Sequence, residues 1–241
     1  MDNEAFKLYE QDALRIVTGD TIRPGGIHLT EHAFDLFSLP ERSWIVDVAC
    51  GTGASVQWLR EKNGFRVMGV DVSPRMLQTG RQRCSDLPLV CGNSLSLPIA
   101  SGQVEAILAE CSLSLMNDLE GTLKEFYRVL RPSGHLIVSD LYLRNPQAAH
   151  LFQNLPMDFC LKGAKSQSEL FNIFKTQGFE ILFWEDHTEN LKQLTGQLIM
   201  THGSIQGFWC KSLPDDIDTF ELQTAVARAK PGYYLLVARK V

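Results

Sequence analysis

No two of the six cysteines in this 241-residue chain are spaced as C-x-x-C, which removes the usual ligand pairs of a structural zinc site. Cys50, Cys84, Cys91, Cys111, Cys160 and Cys210 are scattered and read as reduced thiols of a cytoplasmic protein, not as a disulfide framework; no metal is expected. No apolar run approaches the roughly 18 residues of a membrane span. The opening MDNEAFKLYEQD is acidic and polar, unlike a secretory or transit peptide. Basic charge is not in excess either: 23 Lys and Arg stand against 28 Asp and Glu, a net charge of −5. Neither nucleic acid nor a membrane surface is therefore an expected partner. Repeats, low-complexity tracts and long linkers are also missing, so one domain is expected.

What the chain does have is an alternation of short β-branched runs with amphipathic segments. Residues 4–17 and 27–38 space apolar residues three and four apart and read as two helices, joined by the turn-rich TGDTIRPGG. Strands are expected at 43–49, 65–71, 87–92, 104–110 and 134–143, with helices between them, and LRPSG at 130–134 as the turn into the fifth strand. Such alternation implies right-handed crossovers and a mainly parallel sheet covered on both faces. Beyond Pro146 the pattern weakens: a helix near 146–155, one over SQSELFNIFKTQ, a strand at 179–186, a long amphipathic segment NLKQLTGQLIM running through THGSIQGFW, a helix over DIDTFELQTAVARA and a final strand YYLLVARK. The single domain divides into a helical prelude (1–40), a core (41–143) and helical cap segments with a closing strand pair (144–241).

Ligands of open α/β sheets sit at the carboxyl ends of the strands, so the loop after the first strand is the place to look. It reads VDVACGTGAS: Asp47 near the strand end, then Ala49, Gly51 and Gly53 leading into a helix. Glycines there admit close backbone approach and positive φ. The second strand ends in GVDVS, eighteen residues on, where Asp71 can accept both hydroxyls of a ribose. A dinucleotide would want G-x-G-x-x-G, but the third position is Val56; the loop suits an adenosine ligand without phosphates better, which disfavours a nicotinamide dehydrogenase.

In order, VDVACGTG, MGVDVSPRML, CGNSLSLP and RVLRPSGHLIVSD resemble the motif series of class I S-adenosylmethionine-dependent methyltransferases, closely over residues 43–143. The resemblance implies a Rossmann-like α/β fold, a seven-stranded sheet of order 3-2-1-4-5-7-6 with the last strand antiparallel, and S-adenosyl-L-methionine as cofactor, with S-adenosyl-L-homocysteine as product. It implies that Asp47, Gly51 and Gly53 line the methionine end, Asp71 holds the ribose, Val72 and Met76 sandwich the adenine, and Asn93 and Ser94 meet its edge. Ala49 stands where most members have glycine; its methyl group should fit with a small backbone adjustment. Glu110 and Cys111, in AECSLSLMND after the fourth strand, fall where cofactor meets acceptor.

TIRPGGIHLT, residues 21–30, resembles a segment of a little-characterised bacterial branch of that family. We expect it to fold over the methionine end, Arg23 pairing with the cofactor carboxylate. Methyl transfer is an in-line displacement that asks the protein to align the acceptor, exclude water and, for a weak nucleophile, remove a proton. Glu110, Cys111 and His28 are the catalytic candidates, with Asp140 a further base. The expected activity is methylation of a small molecule. The rivals are a metalloid or thiol methyltransferase using Cys111, Cys160 and Cys210, and a protein that binds the cofactor without transfer.

Overall fold

The computed structural model describes residues 6–153 and 157–241. Seven strands form one sheet: β1 (Trp44–Val48), β2 (Arg66–Asp71), β3 (Leu89–Cys91), β4 (Val104–Glu110), β5 (Leu130–Leu143), β6 (Phe179–Asp186) and β7 (Pro231–Lys240). Their spatial order is 3-2-1-4-5-7-6. β1 lies parallel to both β2 and β4, and β7 runs antiparallel between β5 and β6. Strand order reverses between β1 and β4, so the carboxyl ends of β1, β2 and β4 open on a common crevice.

Nine α-helices accompany them among the described residues: α1 (Asp12–Thr18), α2 (Gly26–Asp35), α3 (Ala54–Asn63), α4 (Pro74–Arg83), α5 (Leu119–Val129), α6 (Gln167–Thr176), α7 (Thr188–His202), α8 (Ile205–Ser212) and α9 (Thr219–Ala229). The strand pleat sends alternate residues to opposite faces, and both faces are covered, which is why β1 and β4 are mostly apolar. On one face Val46, Ile107 and Val138 meet Leu123 and Phe126 of α5 and Phe174 of α6. On the other, Ile45, Leu108 and Ile137 meet Leu29 and Ala33 of α2 and Val56 and Leu59 of α3. A third cluster, including Phe152, Phe159, Leu198, Phe208, Trp209 and Leu222, holds the cap together. The prelude is part of that cap: α1 packs on α7 and α8, and His202 Nε2 lies 3.0 Å from the Ala13 carbonyl oxygen.

Four expectations need correction. The first helix is confined to Asp12–Thr18, because Gln11 is extended (φ −85°, ψ 136°) and Leu8–Glu10 forms a separate 3-10 turn; residues 4–5 lie outside the described residues. The fifth strand begins at Leu130, and the register slips between Val104 and Ala106 of its partner, which absorbs Ser133 at φ 59°. Pro146–Phe152 is a 3-10 helix closed by Gln153, and the last two residues of that expected helix, 154–155, lie outside the described residues. THGSIQGFW is not a connector: Gly203 turns the chain at φ 84°, Ser204 caps a new helix by accepting from the Gly207 N–H, and α8 follows.

Candidate active site

A cavity of about 510 Å³ opens at the carboxyl ends of β1, β2 and β4. Its floor is the loop after β1. Ala49, Gly51 and Gly53 all adopt left-handed backbone (φ 58°, 54° and 73°), which curls the loop and turns the Gly51 N–H toward β2, where it donates to Asp71 Oδ2 at 2.7 Å. For Ala49 that conformation costs about 1–2 kcal/mol, the physical reason glycine would be preferred there. The loop is clamped from above by α4. A Cβ on Gly80 would stand 2.2 Å from the Thr52 carbonyl oxygen, so only glycine permits this approach. Gly53 does not reach the cavity; a Cβ there would meet Leu89 at 2.8 Å, so its part is to admit β3.

The second strand delivers Asp71, buried, with its other oxygen accepting from the Ser73 N–H at 2.8 Å. Burial nevertheless raises its pKa, those two amides pulling the other way. Each carboxylate oxygen keeps a free lone pair for a ligand hydroxyl. Val72, half exposed, and Met76, buried, line the same wall. Asn93 and Ser94 border it as well. Asn93 Oδ1 accepts from the Leu95 N–H at 2.9 Å, and Ser94 Oγ bonds Met116 Sδ at 2.9 Å.

At the end of β4 the structure departs from the expectation for Arg23. Its guanidinium is buried and forms an ion pair with Glu110 Oε2 at 2.8 Å. Thr30 Oγ1 donates to Glu110 Oε1 at 2.8 Å and Ser55 Oγ to Oε2 at 2.7 Å, while Arg23 also donates to the carbonyls of Thr21 and Gly26. The prelude is thus tied to β4 by a closed charge network. Both oxygens of Glu110 are engaged, so it is not a free base. Arg23 Nε is the exception: buried, without a partner, on a residue lining the cavity. Asp47 sits nearby, its pKa pushed well up by burial and then by the charge of Glu110, with Arg23 opposing.

Cys111 breaks out of the strand at φ 52°, its N–H donating to the Ser139 carbonyl at 2.6 Å. The thiol lies 3.6 Å from Cys160 Sγ, and both cysteines line the cavity. The hydrogen bond to Cys160, then burial, push the Cys111 thiol well above its ordinary pKa, so at neutral pH it is not the thiolate a nucleophile requires. Asp140, raised to about 6 by burial, accepts from Ser114 N, Ser114 Oγ and Leu141 N at 2.7–2.8 Å; it is occupied in holding the turn after β4. His28 is not in the site: its side chain is 96% exposed beside Glu31. Cys210 also stands apart, exposed and next to Thr219.

Sequence reasoning missed Ser112, whose buried Oγ has no partner and which lines the cavity beside Cys111. It also missed Thr30 and Ser55, since nothing local marks residues 80 and 55 positions from Glu110 as its hydrogen-bond donors. Leu8 and Tyr9 complete the wall from the prelude, and Glu10 accepts from Ser73 Oγ at 2.7 Å.

A curled glycine loop after the first strand, a buried aspartate ending the second and this strand order define the class I S-adenosylmethionine-dependent methyltransferase fold. Residues 46–138 match the family model described as Methyltransferase domain; that stretch of the chain is a methyltransferase domain, and S-adenosyl-L-methionine is its cofactor. The O-methyltransferase resE of Aspergillus sclerotiorum is 27% identical over 208 residues, 82% of this chain and 75% of that protein. A demethylmenaquinone methyltransferase of Corynebacterium kroppenstedtii is 29% identical over 181 residues, 66% of this chain and 75% of its own length. Among solved structures, the geranyl diphosphate C-methyltransferase of Streptomyces coelicolor superposes with a TM-score of 0.68 at 19% identity, covering 89% of this chain and 79% of its own. The residues here fit the cofactor. Asp71 offers acceptors for two hydroxyls, the unpaired Arg23 Nε offers a donor for a carboxylate, and the loop at Gly51 leaves its backbone bare.

Proposed function

We propose that this chain methylates an apolar small molecule bound beneath the α7–α8 cap. The observation that carries the reading is the continuity of the cavity. One space runs from Asp71 and Gly51, past Glu110 and Cys111, into a chamber walled by Leu115, Phe159, Leu194, Leu198, Phe208 and Trp209. When bound, the cofactor supplies a sulfonium-activated methyl group. Asp71 would take the ribose hydroxyls, Val72 and Met76 the adenine faces, Asn93 and Ser94 the adenine edge. Asp47 and Arg23 Nε would take the methionine end, with Ala49, Gly51 and the Glu110 backbone around it. Beyond that junction, the apolar walls align the acceptor and exclude water.

The engagement of Glu110 by Arg23, Thr30 and Ser55 supports an acceptor that needs no strong base, such as an activated carbon or an acidic hydroxyl. One of the similar proteins is named for an apolar acceptor, a demethylmenaquinone. The test supplies methyl-labelled cofactor and the enzyme to a cell extract. Label is expected in the organic-extractable fraction; release of S-adenosylhomocysteine with all label in the aqueous fraction would sink the apolar acceptor.

A second reading, a thiol or metalloid acceptor, is favoured by one observation: Cys111 and Cys160 face each other at 3.6 Å in the cavity wall. Cys210 does not join them. Incubation with arsenite and cofactor, followed by mass spectrometry, decides it; absence of methylated arsenic ends this reading.

A further inference from the structure

Away from the cavity, three side chains from two distant parts of the chain converge. His32 lies on α2, Glu185 near the end of β6, and His187 just beyond it. His32 Nε2 is 2.7 Å from Glu185 Oε2, and His187 Nε2 is 2.9 Å from the same oxygen. The three donor atoms all lie within 4.8 Å of one another. The imidazole rings meet edge-on, 5.7 Å between centroids and 64° between planes, so both Nε2 atoms reach one point without stacking. None of the three lines the cavity.

We propose that His32, Glu185 and His187 form a site for a zinc-type divalent cation, which fastens α2 to the far edge of the sheet. Two imidazoles and one carboxylate are a donor set for borderline first-row ions, not for calcium or magnesium. Zinc bonds of about 2.0–2.2 Å at near-tetrahedral angles set neighbouring ligand atoms roughly 3.3–3.6 Å apart; the two nitrogen-to-oxygen distances, 2.7 and 2.9 Å, need to open by somewhat under an ångström, and all three donor atoms already lie within 4.8 Å. Two ligands have fixed backbones. Glu185 is paired with Leu235 of β7, and His187 donates its N–H to the Tyr233 carbonyl at 2.7 Å. The adjacent Asp186 does not compete, being held by Tyr142 Oη and the Thr188 N–H. The side chains are 41%, 38% and 21% exposed for His32, Glu185 and His187, so an ion can enter and water can complete its coordination. Ligand spacing along the chain does not announce this site, because His32 and Glu185 are 153 residues apart.

The inference is independent of the methyl acceptor. Protein stripped with chelator is titrated with zinc sulfate by calorimetry and with cobalt chloride by visible absorption. One equivalent should bind, with ligand-field bands for cobalt and a rise in melting temperature on zinc addition. His32→Ala, Glu185→Gln and His187→Ala should each weaken binding by about tenfold or more and abolish the metal-dependent thermal shift. His32 is half exposed, so His32→Ala keeps the test available if a β6 variant folds poorly. Wild-type protein that shows no saturable binding, or variants that bind zinc as tightly as wild type, would overturn the proposal.

Discussion

Arg23→Ala should unfold far more easily than wild type, and the loss should depend on Glu110. The substitution removes the cation that neutralises a buried carboxylate, together with bonds to Thr21, Gly26, Thr30 and Ser55. Removing one partner of a buried pair costs about 3–5 kcal/mol, because the other charge is left uncompensated. Asp47 would add to the strain, since Arg23 is the group that opposes its raised pKa. With a urea m-value of about 2–3 kcal/mol/M for a chain of this size, the midpoint should fall by roughly 1–2 M. Glu110→Gln alone should fall comparably. The double variant Arg23→Ala, Glu110→Gln removes both charges, and it should cost several kcal/mol less than the two single changes added. The assay is a urea double-mutant cycle, with calorimetry of S-adenosylhomocysteine binding on each variant. If Arg23→Ala leaves the midpoint unchanged and only weakens binding, Arg23 serves the ligand and not Glu110, and the reasoning fails.

Three shorter predictions follow from the same geometry. Asp71→Asn should weaken S-adenosylhomocysteine binding by roughly a hundredfold in calorimetry, since each hydrogen bond to a charged acceptor is worth about 1.5–3 kcal/mol; affinity within a factor of three of wild type would remove Asp71 from the ribose. Gly80→Ala gains helix propensity of about 1 kcal/mol but forces α4 off the Thr52 carbonyl, an overpacking that costs about 1–3 kcal/mol, so urea denaturation should show a net loss of up to about 2 kcal/mol, and a net gain would refute the close approach. Burial raises Asp140 from 3.8 to about 6. The folded protein therefore holds this proton through a range where the unfolded chain has lost it, and stability falls as pH rises through that range, by about 3 kcal/mol in all. Measured against Asp140→Asn, wild-type stability should decline from pH 4 to 7 and then level off; a flat difference would contradict the burial.

The core was legible where local pattern and tertiary environment ask for the same thing. Val104–Glu110 lies where its apolar run places it, because the run is bounded by turn residues and buried on arrival; Phe179–Asp186 lies where expected as well, as a half-exposed edge strand anchored by buried Phe179. The glycine loop and Asp71 were legible for a related reason: curling a strand into a helix around a ligand demands particular residues at short spacing. The prelude misled because periodicity cannot see pulls from elsewhere. Leu8 and Tyr9 are drawn to the cavity wall and Glu10 to Ser73, which ends the helix at Asp12. The pairing of Arg23 with Glu110 was not legible for the same reason, its partner being supplied by β4. The separate helix α8 was visible in principle, since Gly203 and Ser204 are a stop followed by a start.

The contact of α1 with α7 and α8 has a kinetic corollary. The prelude helix that borders the proposed cofactor end is packed against the roof of the proposed acceptor chamber, with His202 Nε2 3.0 Å from the Ala13 carbonyl oxygen. Traffic through the enzyme is therefore expected to be compulsory in order: cofactor first, as Leu8, Tyr9 and Leu14 settle over it, then acceptor into the finished chamber, with the methylated product leaving before the spent cofactor. Product-inhibition patterns would register that sequence as competition between the two cofactor forms alone.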